Sequence, residues 1–254
     1  MAQGGFEHET SMTDETKIEE QNLNDSTQPP CANPFVVRSA VFNEDCIAVM
    51  KRYPDKFFHL AIVDVPYGLK EDGRNDEGRV RVTHKWKNPK AKGYKKGDWD
   101  NDAPDMEYFN ELRRVSKNQI VWGANHFISK LPIDSPCWIF WDKQTSGDFA
   151  DGELAWTSFK TAVRKFTWLW SGFKQKQIEQ RIHPTQKPVA LYRWLLQNYA
   201  SEGDLILDTH VGSGSSRIAA KMEGFEFYGC EIDKDYYEAQ EARWKNFISQ
   251  QKLF

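Results

Sequence analysis

The stretch DLILDTHVGSGSSRIAAKMEGFEFYGCEID, residues 204–233, decides the fold. An apolar run in it ends at Asp208, two glycines follow at Gly212 and Gly214, and an amphipathic segment begins near Ser215 before a second apolar run. This order predicts a strand, a glycine turn, a helix and a second strand, because glycine lets the chain turn tightly between a buried strand and a helix that packs on it. Such a unit is typical of a doubly wound α/β sheet whose strands are mostly parallel.

The glycine turn also predicts a ligand site. A helix N-terminus offers free backbone N–H groups, and glycine lets a ligand approach the backbone closely. No Gly-Lys-Ser/Thr follows the glycines, which argues against a P-loop for a terminal phosphate. Glu231 lies 19 residues beyond Gly212, about where Rossmann-like sites place an acid on a ribose. A glycine pair alone would be explained by a structural turn, but its combination with Asp208 and Glu231 favours a ribose-containing ligand.

The rest of the chain from residue 35 onward follows the same alternation. A short helix is predicted around residues 46–53 and a buried strand from about Leu60 to Val63. Further alternating strands and helices precede residue 204. We therefore expect residues 35–254 to form one domain around a mostly parallel, doubly wound sheet with helices on both faces.

The first 34 residues differ in composition from this domain. They hold seven acidic side chains against Lys17 alone and end in TQPPCANP, which predicts a disordered acidic tail. Without them the chain is mildly basic, which permits a nucleic-acid partner.

Other classes of protein are disfavoured by composition. No apolar run approaches the roughly 18 residues of a membrane span, and the N-terminus lacks the pattern of a secretion signal, so a cytoplasmic protein is expected. Four cysteines are scattered singly, at positions 31, 46, 137 and 230. This spacing predicts neither a zinc site nor a disulfide framework, and no metal is expected.

One basic segment interrupts the alternation. Residues 79–96, RVRVTHKWKNPKAKGYKK, contain eight Lys and Arg and no acid, with His84, Trp86 and Tyr94 interleaved. A charge run alone favours a solvated loop, but cations that meet phosphates and rings that stack on bases are both typical of nucleic-acid grooves. We expect a mobile DNA-contact loop whose phosphate ligands are Arg79, Arg81, Lys85, Lys87, Lys95 and Lys96.

A second chemical stretch reads IVDVPYG, residues 62–68, where an apolar run stops at Asp64. A carboxylate, a rigid proline and an aromatic ring at the end of a buried strand suit the binding of a planar, hydrogen-bonding ligand such as a nucleobase. In a doubly wound sheet this strand end and that of Asp208 can open on the same crevice although they are far apart in sequence.

Taken together, these stretches resemble the amino-methylating DNA methyltransferases that use S-adenosylmethionine. DVPYG (64–68) is similar to the family's Asp-Pro-Pro-Tyr catalytic motif and LDTHVGSGSS (207–216) to its Asp-x-x-x-Gly-x-Gly cofactor loop. HPTQKP (183–188) resembles the segment that leads into that loop, and NEDCIAVMK (43–51) the stretch before the catalytic strand. The likeness covers most of residues 36–246 and implies a Rossmann-like methyltransferase fold.

The catalytic motif precedes the cofactor motif, which is the permuted order of the beta class. CWIFWDKQTSGDFADGELAWTSF, residues 137–159, is also similar to phage-like members. This resemblance implies double-stranded DNA as the partner and allows a homodimer.

The resemblance also implies roles for individual residues. The target amine would donate to Asp64 and to the Val65 carbonyl, while Pro66 stiffens the loop and Tyr67 stacks on the extruded base. The residues implied to contact S-adenosylmethionine are Asp45, Cys46, Asp64, Lys187, Asp208, Thr209, Gly212, Gly214 and Glu231. Asp45 is equally well explained as a helix N-cap.

Two departures from the family pattern stand out. Val65 replaces the first proline of the catalytic motif, so the carbonyl is retained but the fixed φ of proline is lost. Thr209 and His210 stand where the family has Pro-Phe; they could alter how the methionine end is held, and a packed loop histidine is the interpretation we favour for His210.

Several alternative functions stay open at this point. An aspartate at the first motif position resembles adenine-N6 enzymes, whereas cytosine-N4 enzymes of this class more often carry serine. Methylation at carbon 5 of cytosine needs a cysteine nucleophile, and Cys137 opens an apolar run that suits a buried residue better. RNA or protein glutamine as substrate, or an inactive nucleotide- or DNA-binding relic, are the remaining alternatives.

Overall fold

The computed structural model describes residues 38–68, 102–131, 134–145, 150–170 and 175–251. The predicted acidic tail, residues 1–34, and the predicted DNA-contact loop, residues 79–96, both lie outside these ranges. Within the described chain no helix is long and apolar enough to cross a membrane.

Strands and helices alternate along the described chain. The strands are β1 (Ser39–Phe42), β2 (Phe58–Val63), β3 (Ser116–Trp122), β4 (Trp138–Asp142), β5 (Gly152–Thr157), β6 (Arg164–Thr167), β7 (Leu205–Asp208) and β8 (Glu226–Cys230). The α-helices are α1 (Cys46–Met50), α2 (Met106–Val115), α3 (Val189–Tyr199), α4 (Ser215–Met222) and α5 (Lys234–Gln251). Two short 3₁₀ turns, Ala124–His126 and Ile128–Lys130, follow β3.

The first helix is shorter than the predicted range of 46–53. Asp45 caps its N-terminus, where its Oδ1 accepts from the Ala48 backbone N–H at 2.9 Å. After Met50 the chain tightens, since the Tyr53 N–H donates to the Met50 carbonyl three residues back. Pro54 then has no N–H with which to continue the helix, so α1 ends early.

The described strands form a single sheet of eight in the order β1-β8-β7-β2-β3-β5-β4-β6. Strand β5 runs antiparallel to its neighbours β3 and β4, and every other pair is parallel. Strand β2 pairs directly with β7, with Leu60 opposite Ile206. The two motifs therefore leave neighbouring strands at the same edge of the sheet, as their permuted order requires.

Helices cover both faces of the sheet. On one face, Ile62 and Trp122 pack in a cluster with buried side chains of α3 and α4, such as Leu195. On the other, Val63 packs in a cluster with side chains of α1 and α2, such as Phe109. Successive strand residues alternate between the two clusters, as expected for a sheet buried on both sides. The predicted doubly wound, mostly parallel α/β fold is thus confirmed.

Candidate active site

The predicted catalytic loop, residues 64–68, begins where β2 ends. Val65 is 2% exposed and packs in the cluster on the α2 side of the sheet, so its side chain anchors the loop. The structure gives no hydrogen bond to the Val65 carbonyl from the described residues. Valine therefore fixes this position through burial, whereas proline would fix it through its ring.

Asp64 uses one carboxylate oxygen inside the protein. Its Oδ1 accepts from the Tyr67 hydroxyl at 2.8 Å and lies 2.6 Å from Lys187 Nζ. No hydrogen bond to Oδ2 comes from the described part of the chain. A carboxylate can accept at both oxygens, so Oδ2 remains available to a ligand.

Lys187 joins Asp64 to a second carboxylate that the sequence did not reveal. Its ammonium is almost fully buried and lies 2.9 Å from Glu153 Oε2, while Lys143 pairs with the other oxygen of Glu153. Lys187 also donates to the Tyr67 hydroxyl at 3.2 Å. Two carboxylates and two ammonium groups thus balance each other beside the catalytic loop. We name Asp64, Lys143, Glu153 and Lys187 the charge cluster.

The pKa values of the residues in the charge cluster are shifted in different directions. Burial acts to raise the pKa of Glu153, but Lys187 and Lys143 outweigh it and lower that pKa to about 2. Burial acts to lower the pKa of Lys187, but Asp64 and Glu153 together raise it. For Asp64, burial raises the pKa even though Lys187 opposes the shift. Asp64 is therefore the carboxylate of this cluster that protonates most readily.

Tyr67 lies between the charge cluster and a ring that the sequence did not point to. The exposed imidazole of His126 stacks on Tyr67, with ring centroids 5.1 Å apart and an interplanar angle of 16°. On the backbone side, a Cβ built on Gly123 would stand 2.0 Å from the Tyr67 ring. Burial raises the pKa of Tyr67 well above its usual value, so its hydroxyl stays neutral and donates to Asp64.

The glycine loop is held to the end of β8 by Glu231. One oxygen of Glu231 accepts from the Gly212 N–H and the other from the Asp233 N–H, each at 2.9 Å. Gly212 and Gly214 adopt positive φ values of 51° and 75°, the conformation that favours glycine. Each oxygen of Glu231 keeps a further lone pair for a ligand.

Asp208 organises the same loop from within. It is 1% exposed, and its two oxygens accept from the Ser216 hydroxyl at 2.5 Å and the His210 N–H at 3.0 Å. Burial raises the pKa of Asp208 to about 7. Both oxygens are engaged in the loop, so the predicted contact of Asp208 with the cofactor stays a prediction.

The two residues that depart from the family pattern pack against α2. The buried Thr209 hydroxyl pairs with the Tyr108 hydroxyl at 2.6 Å and with His210 Nδ1 at 2.9 Å. The His210 ring lies edge-on to Tyr108, and burial lowers the pKa of His210 to about 4. His210 is thus a neutral, packed loop histidine. The Thr209 hydroxyl faces this packing, so a cofactor contact from Thr209 stays a prediction that rests on its backbone.

The remaining predicted cofactor residues divide between two places. Asp45 and Cys46 follow β1, beside the end of β8, where the Glu231 N–H donates to the Phe42 carbonyl at 3.0 Å. Burial raises the pKa of the Cys46 thiol to about 12, so it is a neutral group. Lys187, by contrast, contacts Asp64 and the Tyr67 hydroxyl, and its cofactor contact stays a prediction.

The segment before α3 packs against the glycine loop. His183 is the nearest residue to a Cβ built on Gly212, at 3.8 Å, and its ring contacts that of Tyr236. This packing places Lys187, four residues further on, between the two motifs.

A doubly wound sheet with an acidic loop and a glycine loop at adjoining strand ends is the arrangement expected of a Rossmann-like methyltransferase. Comparison with known proteins shows which methyltransferases the chain is similar to. Residues 141–242 match the N6/N4 methylase family, described as DNA methylase. The chain is 22% identical to the type II methyltransferase M2.MboI of Moraxella bovis over 80% of its own length and 86% of that protein.

Two solved structures share the fold. The M1.HpyAVI–SAM complex superposes with a TM-score of 0.51 at 18% identity, over 81% of this chain and 99% of that one. The cytosine-N4-specific PvuII DNA methyltransferase superposes with a TM-score of 0.55 at 12% identity, over 80% of this chain and 85% of that one. The family match and the M2.MboI relative support an S-adenosylmethionine-dependent DNA amino-methyltransferase of the N6/N4 type, as the sequence motifs implied.

Proposed function

We propose that the protein transfers a methyl group from S-adenosylmethionine to N6 of an adenine extruded from double-stranded DNA. The observation that carries this proposal is the pair of open acceptors on the catalytic loop. Asp64 Oδ2 and the Val65 carbonyl both lack hydrogen bonds from the described residues, and an exocyclic amine has two hydrogens to donate.

Asp64 and Val65 activate the amine by accepting those hydrogens. The lone pair of an exocyclic amine is delocalised into the ring, so the nitrogen is a poor nucleophile. Two acceptors on one loop draw the nitrogen toward a tetrahedral geometry and free that lone pair. Methylation would exchange the S–CH3 bond of the cofactor for the new N–C bond and release a neutral thioether. The methylated nitrogen is acidic, and Asp64 Oδ2 can take its proton because burial raises the pKa of this carboxyl.

The residues at the glycine loop fit the cofactor. Glu231 has lone pairs left for ribose hydroxyls. A Cβ built on Gly212 would meet His183 at ordinary van der Waals distance, 3.8 Å, so neighbouring side chains do not crowd the backbone there. Asp45 and Cys46 would lie toward the adenine, and the Gly214 backbone toward the methionine portion. When bound, the cofactor supplies an electrophilic methyl group on a sulfonium sulfur.

Adenine is favoured over cytosine by the aspartate at the first position of the catalytic motif, and cytosine N4 is the alternative. Extrusion of either base costs a few kcal/mol. Stacking near Tyr67 and phosphate contacts from Arg79, Arg81 and the lysines of the 79–96 loop would offset that cost. Those loop contacts, the homodimer and a cytoplasmic location stay predictions.

Nucleoside mass spectrometry of mixed-sequence duplex DNA, after incubation with protein and S-adenosylmethionine, tests the reaction. We expect N6-methyladenine. Detection of N4-methylcytosine would support the same mechanism with cytosine as the target base. The absence of any methylated base, alongside measurable cofactor binding, would contradict the proposed function. Omitting S-adenosylmethionine provides the control.

His126 gives a prediction about base entry. Because its exposed ring stacks on Tyr67, we infer that the target base displaces it. An aromatic stack is worth about 0.5–1.5 kcal/mol, so His126→Ala is expected to lower KM for DNA roughly 2- to 10-fold. His126→Phe preserves a stacking ring and is the matched control, with KM close to that of the wild type.

Steady-state methylation over a range of DNA concentrations measures this effect. If His126→Ala instead raised KM while His126→Phe did not, His126 would hold the base rather than give way to it.

A further inference from the structure

The charge cluster holds a carboxylate that the proposed mechanism does not use. Glu153 lies in β5, the antiparallel strand that comes between β3 and β4 in the sheet. Its two oxygens pair with Lys143 and Lys187, and it is mostly buried. A buried ion pair is weak evidence for stability, since well-packed apolar side chains often stabilise as much. The arrangement therefore calls for a functional explanation.

Three oxygens surround the ammonium of Lys187. They are Asp64 Oδ1 at 2.6 Å, Glu153 Oε2 at 2.9 Å and the Tyr67 hydroxyl at 3.2 Å. An ammonium has three N–H donors, so this set matches it in number. Without Glu153, Lys187 would have a donor to spare, and Asp64 Oδ2 is the neighbouring acceptor that lacks a partner.

We propose that Glu153 is a positioning residue of the methyl-transfer site, which holds Lys187 on Oδ1 of Asp64 and so keeps Oδ2 for the target amine. This inference rests on the proposed function. Lys187 orients the catalytic carboxylate, Glu153 orients Lys187, and Lys143 balances the charge of Glu153. We call this chain of contacts the relay. It runs from Glu153 in β5 to Asp64 in the catalytic loop through the buried side chain of Lys187.

The signs of the charges make the relay testable by pH. The groups that act on Asp64 are Tyr67 on its own loop, Lys187 before α3, Glu153 in β5, Tyr192 in α3 and Asp208 at the end of β7. Lys187 favours the ionised form of Asp64, whereas Glu153 opposes it. Removing the charge of Glu153 therefore lowers the pKa of Asp64, whereas removing the charge of Lys187 raises it.

The pH dependence of the methylation rate, measured in single turnovers at saturating cofactor and DNA, tests the relay in the full-length protein. The ionised form of Asp64 is the active one, so the pKa of Asp64 sets the acid limb of the pH–rate profile, the pH range in which the rate falls as the carboxylate protonates. Glu153→Gln keeps the shape but removes the repelling charge, and we expect the limb to move to lower pH while the maximal rate falls about 10- to 100-fold through misplacement. For Lys187→Met the limb is expected to move to higher pH.

Lys143→Gln is the matched control, because Lys143 contacts Glu153 but not Asp64; its limb should move less than that of Glu153→Gln. A uniform loss of rate with an unmoved limb in Glu153→Gln would overturn the proposal and leave a structural role. Limbs that move in the same direction in the Glu153 and Lys187 variants would also overturn it.

Titration of the Asp64 carboxyl by ¹³C NMR separates this proposal from the proposed function. The same opposite shifts are expected in the absence of DNA. A wild-type protein that methylates no DNA would refute the function, while the NMR shifts would still decide whether Glu153 and Lys187 control Asp64.

Discussion

Asp64→Ala is expected to lower the methylation rate by about 10³-fold, the upper range for loss of a positioned proton acceptor or charge stabiliser. The variant removes both the open Oδ2 and the partner of Lys187. Cofactor affinity should change little, because the glycine loop, the predicted cofactor site, is held by Glu231 and Asp208; a large fall in affinity would instead support the predicted contact of Asp64 with the cofactor. Single-turnover methylation and equilibrium binding of S-adenosylmethionine measure the two quantities.

Asp64→Asn separates the charge from the shape of this side chain. If the NH₂ group of the asparagine faces Lys187, two hydrogen-bond donors face each other. If its carbonyl oxygen faces Lys187, the NH₂ group faces the target amine, which is also a donor. Either orientation loses an acceptor, so we expect a loss within about tenfold of that in Asp64→Ala.

Asp142 provides the matched control, since it is also a strand-end aspartate at the same edge of the sheet but pairs with the exposed Lys165. Asp142→Ala should keep the rate within about twofold, because a solvent-accessible ion pair contributes little and the other contact of Asp142 is a turn hydrogen bond from the Gln144 N–H. Equal losses in the Asp64 and Asp142 variants would contradict a catalytic role for Asp64.

The parts of the fold and site that could be predicted from the sequence depend on local signals. Alternating apolar and amphipathic segments indicated the sheet. Glycines after a strand-end acid indicated the cofactor loop, and a strand-end acid followed by proline and tyrosine indicated the catalytic loop. The shared crevice of the two strand ends followed from the rule that ligands bind at the carboxyl ends of parallel strands, and the direct pairing of β2 with β7 is what the structure adds.

The charge cluster could not be predicted in this way. Lys143 and Glu153 are ordinary charged residues near strand ends, and they meet Lys187 only because β5 inserts antiparallel between β3 and β4. Long-range strand order of this kind leaves no local pattern. The motif of Lys187 indicates a cofactor contact, and its ammonium contacts with Asp64, Glu153 and Tyr67 could not be read from that motif.

The sequence does contain one indication of the residues that pack against Tyr67. Gly123 directly follows the buried end of β3, and a glycine at a strand end often marks a close approach of the backbone to another group. In the structure that group is the ring of Tyr67. The stacking of His126 three residues later is set by the turn that Gly123 starts.

Gly123→Ala is expected to lower the methylation rate about 10²-fold, the effect of misplacing a catalytic group by about 1 Å. The new Cβ would stand 2.0 Å from Tyr67 Cε1 and 2.3 Å from Cζ, so the ring has to move. Tyr67 donates to Asp64 Oδ1, so its displacement also frees the catalytic carboxylate to rotate. The rate is measured in single turnovers and the stability by thermal unfolding.

Gly203→Ala isolates the steric part of this effect. Gly203 has a positive φ of 83°, comparable with 70° at Gly123, but no atom lies within 4 Å of its built Cβ. Both variants incur the backbone cost of a left-handed alanine, roughly 1–2 kcal/mol, and only Gly123→Ala moves Tyr67. Gly203→Ala should therefore lower the unfolding temperature without changing the methylation rate. If both variants lost stability equally and kept the wild-type rate, the position of Tyr67 would not limit methyl transfer, and Asp64 would hold its orientation through Lys187 alone.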